Sequence, residues 1–150
     1  MGRKPKILFF STGDSTRSQM AEGFLRTLAG EEFAAASTAT VSKDRSPLAV
    51  EVMKEVGVDI TELHAENVAQ SLKEHFACVV TVCDAPKERF PVWPFTRNIV
   101  HWSLVDPETA DASPEPQRRE VYRGVRDEIR RKVKEFVEQT LPRLHVAPAR

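Results

Sequence analysis

The chain of 150 residues has little cysteine, no excess of either charge and no long apolar run, and each shortage removes a class of protein. Two cysteines make no disulfide framework, and both fall within one apolar run, Phe76-Ala77-Cys78-Val79-Val80-Thr81-Val82-Cys83. Five positions apart on one extended segment, they point to opposite faces and cannot bridge without local bending, so a reducing compartment is the natural setting. The 22 basic and 22 acidic residues cancel, which leaves no global field to attract nucleic acid or an anionic membrane. No stretch approaches the roughly 18 apolar residues of a membrane span. The basic start Met1-Gly2-Arg3-Lys4-Pro5-Lys6 leads only into residues 7–10 before Ser11, too short an apolar core for a signal peptide. These shortages lead to the expectation of a soluble, cytoplasmic protein with no nucleic-acid and no membrane partner, in which any preference for anions is local.

What is present reads as one α/β domain spanning residues 1–150, long enough to bury about two thirds of its unfolded surface without a metal or a disulfide. Residues 6–10 form a short apolar run that ends at a Ser/Thr/Gly/Asp cluster, which predicts a buried strand and a turn. Met20, Phe24, Leu25 and Leu28 then recur at helical spacing over residues 17–29, with Gly30 behind them as a stop. A second strand is expected over 33–38 and a second helix over 47–56, capped by Ser46 with Pro47 in its first turn. Further on come a third helix over 66–76, strands over 77–82 and 98–101, and a proline-rich acidic loop over 106–116. A long helix over 117–141 carries Val121, Val125, Ile129, Val133, Phe136 and Val137 on one stripe. The tail after Pro142 reads as frayed. Alternation of strand and helix argues for a parallel sheet with helices on both faces. The arginines and lysines of the long helix alternate with acids, the pattern of a solvated, mutually paired face.

The chemistry concentrates in Ser11-Thr12-Gly13-Asp14-Ser15-Thr16-Arg17-Ser18. A buried strand that runs through such a loop into a helix aims several backbone N–H groups, and the positive end of the helix, at one point. Arg17 adds a planar fork able to hold two oxygens of a phosphate or an arsenate. All eight loop residues are therefore candidate anion ligands.

Residues 7–24, I-L-F-F-S-T-G-D-S-T-R-S-Q-M-A-E-G-F, resemble the signature of the low-molecular-weight protein tyrosine phosphatase family, in particular its thioredoxin-coupled arsenate reductase branch. The likeness continues in order through Ser46-Pro47-Leu48-Ala49-Val50-Glu51-Val52-Met53, Gly57-Val58-Asp59-Ile60, Val80-Thr81-Val82-Cys83-Asp84, His101-Trp102, Asp106-Pro107 and Tyr122-Arg123-Gly124-Val125-Arg126-Asp127-Glu128-Ile129. It implies a four-stranded parallel sheet of order 2-1-3-4, helices on both faces, and the loop at the carboxyl ends of the strands. It also implies three catalytic positions: 11 for the nucleophile, Arg17 for the clamp on the equatorial oxygens, and Asp106 for the acid that protonates the leaving group.

Against the family pattern Cys-x5-Arg-Ser, position 11 holds Ser11, whose hydroxyl lacks the acidity of a thiol and has no histidine beside it in the loop to act as base. Asp14 stands for the usual asparagine and brings a negative charge toward a bound anion, weakening its binding unless Asp14 is protonated or paired. Thr16 stands where many reductases of the branch have a further cysteine. Cys83 matches the first cysteine of the branch's redox relay, but the second is Phe90, before Pro91, so a relay to thioredoxin is not expected. Ser37, His64 and Glu66 fall near positions that some reductases use for a structural potassium ion, but His64 is a poor ligand for a hard cation. No metal and no cofactor are expected. The leading expectation is a member that binds phosphate, arsenate or a phosphorylated ligand but is catalytically impaired. Two alternatives stand beside it: an active phosphatase or arsenate reductase whose cysteine at position 11 was engineered to serine, and a non-catalytic regulatory or interaction protein.

Overall fold

The structure, a computed structural model, describes residues 4–41, 45–83 and 93–145. Four strands, β1 (Lys6–Ser11), β2 (Ala34–Ala39), β3 (Cys78–Cys83) and β4 (Ile99–Ser103), form one sheet in the order β2-β1-β3-β4. Every pairing is parallel, with Ser11 opposite Ala39 on one side and Val82 on the other. Ser11 thus closes the central strand at the carboxyl end of the sheet, where open parallel sheets place ligands.

The period of two along each strand sorts the side chains into two layers of unequal thickness. Ile7, Phe9, Val80, Val82 and Trp102 face helices α1 (Thr16–Ala29), α2 (Pro47–Lys54) and α4 (Glu115–Glu135) through Met20, Phe24, Leu25, Val52, Tyr122 and Ile129. Leu8, Phe10, Ala36 and Val79 face the other way, onto Phe76 and Trp93 and the one-turn helix α3 (Val68–Ser71). Helices do cover both faces, but one layer is thin. The helix expected over residues 66–76 is longer than the one the structure contains. Its start is lost because Glu66 pairs as an isolated bridge with Thr38, its N–H donating to Ser37 O at 2.6 Å. Its end tightens into turns, Lys73 N–H to Gln70 O and Glu74 N–H to Ser71 O.

Ser46 caps α2 as expected, its hydroxyl accepting from Leu48 N–H at 3.2 Å, and Gly57 (φ +82°) turns the chain after it. The proline-rich loop contains a 3-10 turn, Pro107–Ala110, and α4 begins at Glu115, inside the span read as loop. The chain stays helical past Pro142 to His145, the rest of the tail lying outside the described residues: α4 passes through a π turn, Phe136–Thr140, into α5 (Leu141–His145), and Leu141 is buried. Pro142 explains the widening. In a regular helix its ring would collide with the carbonyl four residues back, whereas here Leu141 N–H reaches Phe136 O, five residues back. No helix among the described residues is long and apolar enough to cross a membrane.

The charged stripe of α4 is paired with α2. Arg119 bonds Glu51, Arg123 bonds Glu55, and Arg126, buried, donates to Glu55 and to the Val52 carbonyl. Hydrogen bonds from Arg123, and then from Arg126, hold the Glu55 carboxyl down to about 2 from an ordinary 4.5. A depressed carboxyl contributes stability that is complete above its unfolded value and lost as pH falls through its folded one. The difference in urea midpoint between the wild type and Glu55→Gln is therefore expected to be constant above about pH 4.5 and to close between there and pH 2. A gap independent of pH over that window would show that Glu55 acts through packing alone.

Candidate active site

The loop between β1 and α1 is built on Gly13, whose φ of +81° is a left-handed conformation that a side chain would strain. Two bonds on its far side anchor it: Gly13 N–H donates to Thr40 Oγ1 at 2.8 Å and Val41 N–H to Gly13 O at 2.9 Å. Nothing in the pattern around Thr40 marks it as part of the site, because the β1–β2 register alone brings it there. Asp14 has no positive φ. Its carboxylate turns forward onto the head of α1, with Oδ1 accepting from Thr16 N–H and Oδ2 from Thr16 Oγ1, both at 3.1 Å. The negative charge introduced at position 14 is thus paired with an orphan donor and with the positive end of the helix. Thr16 Oγ1 in turn accepts from Ser46 N–H at 3.0 Å and lies 3.4 Å from Glu108 Oε2, so it ties the loop to α2 and to the 3-10 turn.

Ser11 is fully buried. Its hydroxyl donates to the carbonyl of Asp14 at 2.7 Å and lies 2.9 Å from Ser18 Oγ, which reaches Ser15 O at 3.2 Å. None of these groups is a base able to take the Ser11 proton at neutral pH.

Arg17 leaves the first turn of α1 and is 2% exposed. Its guanidinium donates to Leu104 O at 2.9 Å and to Thr12 O at 2.6 Å, and lies 3.8 Å from Asp106 Oδ2. Asp106 is half-buried and caps the 3-10 turn, its Oδ1 accepting from Glu108 N–H at 3.0 Å. The carboxylate stands over Gly13, so the structure brings Arg17, Asp106 and the loop together. The carbonyl of Leu104 is a contributor that no side-chain pattern could reveal. Behind the turn, buried Tyr122 donates its hydroxyl to Asp111 at 3.1 Å, and burial pushes that phenol up to about 12, so it stays a neutral donor.

Part of the loop's donor set is already engaged. Three of its amides are taken within the chain: Thr12 N–H by Val82 O, Gly13 N–H by Thr40 and Thr16 N–H by Asp14. Ser15, Thr16 and Ser18 are buried with Ser11, so the cradle is closed over itself.

Cys83 ends β3 opposite Ser103, but its side chain, like all of Phe90 and Pro91, lies outside the described residues. Cys78 is a core residue whose thiol burial pushes up to about 12, unsuited to nucleophilic or redox work. Near the positions where the resemblance suggests a potassium ion, the carboxylate oxygens have partners within the chain. The Glu22 oxygens take Ser37 Oγ at 2.7 Å and Arg26 at 2.8 Å. Those of Glu66 take Lys6 Nζ at 2.9 Å and Ser71 Oγ at 3.1 Å. His64 is exposed, and no three His, Cys, Asp or Glu among the described residues group to hold a metal.

Comparison with known proteins agrees with this architecture. Residues 6–145 match the model of the low molecular weight phosphotyrosine protein phosphatase family. An arsenate reductase of Halalkalibacterium halodurans is 38% identical over 135 residues, 90% of this chain and 96% of that one. Among solved structures, an arsenate reductase in the oxidized state superposes with a TM-score of 0.76 at 30% identity, covering 90% of this chain and 98% of that one. Another, in the phosphate binding state, gives 0.73 at 29% identity with the same coverage. With its strand order, its loop and its arginine all in place, the chain belongs to the low molecular weight phosphotyrosine protein phosphatase family.

Proposed function

We propose that this member binds a tetrahedral oxyanion, phosphate, arsenate or a phosphorylated ligand, at residues 11–18 without the covalent chemistry of a thiol. The observation that carries the reading is the state of Ser11: a buried neutral hydroxyl whose proton is committed to a backbone carbonyl and whose neighbours cannot activate it. Arg17 supplies the anion's counter-charge, with the head of α1 behind it and Asp106 beside it. A related arsenate reductase whose structure is of a phosphate binding state supports the choice of ligand. Thioredoxin-coupled reduction is not part of the proposal, because the cysteine pattern it needs is broken at Phe90. Residues 1–150 act as one domain, and a chain with only two cysteines, of which Cys78 is a free, buried thiol, suits the reducing cytoplasm.

The test is a thermal-shift titration of the wild type with phosphate, arsenate and sulfate beside an aryl phosphate hydrolysis assay. Saturating oxyanion is expected to raise the melting temperature, since about 100 Kd of a ligand specific to the folded state contributes about 2.7 kcal/mol. Hydrolysis is expected at background. Brisk turnover by the wild type would sink the proposal, and so would a melting temperature indifferent to all three anions.

A further inference from the structure

We infer that Ser11 is a positioning residue that latches the loop in a form that keeps anions out, a conclusion that rests on the oxyanion reading above. Its hydroxyl donates to Asp14 O at 2.7 Å in a fully buried setting, so the oxygen end of a peptide dipole faces residue 11 from inside the loop. An incoming oxyanion would meet that carbonyl oxygen and be repelled. The rest of the loop agrees with a closed form. Gly13 has the loop's one left-handed backbone, Asp14 does not share it, and Arg17 gives one donor each to the carbonyls of Thr12 and Leu104. To admit an anion, the Asp14–Ser15 peptide must turn over, exchanging its carbonyl for the Ser15 N–H at the point where α1 begins, and Arg17 must release Thr12 O.

Serine favours the closed form for a reason particular to its chemistry. A hydroxyl with a proton to donate holds a carbonyl, whereas a thiolate has none and would push it away. The residue at position 11 thereby sets the fraction of loops competent to bind, and apparent affinity falls in proportion to that fraction. Removing the hydroxyl takes away one buried hydrogen bond of the closed state.

Calorimetric titration of Ser11→Ala with inorganic phosphate is expected to show binding about 10-fold tighter than wild type. The amide resonance of Ser15 should also move in the ligand-free variant, a change that a purely structural hydroxyl would not produce. Ser11→Gly, which likewise lacks the hydroxyl, repeats the measurement should the alanine variant fold poorly. Equal affinity with an unmoved Ser15 amide overturns the latch and leaves the oxyanion reading standing. Weaker binding overturns it too, because Ser11 would then be a ligand donor. If neither protein binds phosphate, the oxyanion reading fails and the latch fails with it.

Discussion

Replacing Ser11 by cysteine is expected to create aryl phosphate hydrolysis at least about 1,000-fold above the wild type. The size follows from what a nucleophile is worth in a hydrolase: its removal alone costs on the order of a million-fold in turnover. A thiol at the end of β1 would sit near the positive end of α1 and near Arg17, both of which favour its ionised form, whereas the serine hydroxyl is held neutral by Asp14 O. Asp106, half-buried and 3.8 Å from the guanidinium, is positioned to serve the leaving group, so Ser11→Cys combined with Asp106→Asn should lose much of the gain. Ser11→Cys alone should not reduce arsenate with thioredoxin. A steady-state assay of the variant against wild type decides the matter, and an inactive, folded Ser11→Cys would show that the loop has lost more than its nucleophile.

The second large effect is expected from Arg17→Ala. In the proposed function the guanidinium provides the anion's main counter-charge, and it also satisfies two carbonyls, Leu104 O and Thr12 O. Deleting it is expected to abolish the phosphate-dependent rise in melting temperature and to cost about 2 to 6 kcal/mol of stability, since each of the two acceptors left unpaired costs about 1 to 3 kcal/mol. Arg17→Lys separates the two roles, because it keeps a charge but loses the planar fork. Urea denaturation with and without phosphate measures both quantities. An Arg17→Ala protein still stabilised by phosphate would place the anion elsewhere, and one that kept its protein partners would favour a scaffold role.

How much of this was legible before the fold was known depends on whether a feature is local. Residues 6–11 and 16–29 could be read because an apolar run, a polar break and a helical period lie within a few turns of one another. The cap by Ser46 and Pro47 was visible for the same reason. The helix expected over 66–76 came out shorter because nothing local to that segment shows that Glu66 is drawn to the edge of β2. The continuation past Pro142 was missed because a π turn leaves no pattern of its own; the buried Leu141 reveals it only in three dimensions. Within the site, Arg17 was legible from its place at the start of the helix and Asp106 from the resemblance, while Thr40, Glu108 and the Leu104 carbonyl gave no signal.

The loop from Ser11 to Ser18 shows where the division falls. Residue identity settles that position 11 has a hydroxyl and no thiol, that position 13 can take a positive φ, and that position 14 has a charge, since these are properties of side chains. It does not settle which way a peptide faces. That the Asp14 carbonyl turns inward to Ser11, that its carboxylate is paired on Thr16, and that Arg17 lies against two carbonyls are outcomes of packing α1, β2 and the 3-10 turn around one strand end. Peptide orientation is a matter of a few kilocalories spread over many long-range contacts. Only the assembled structure weighs them together.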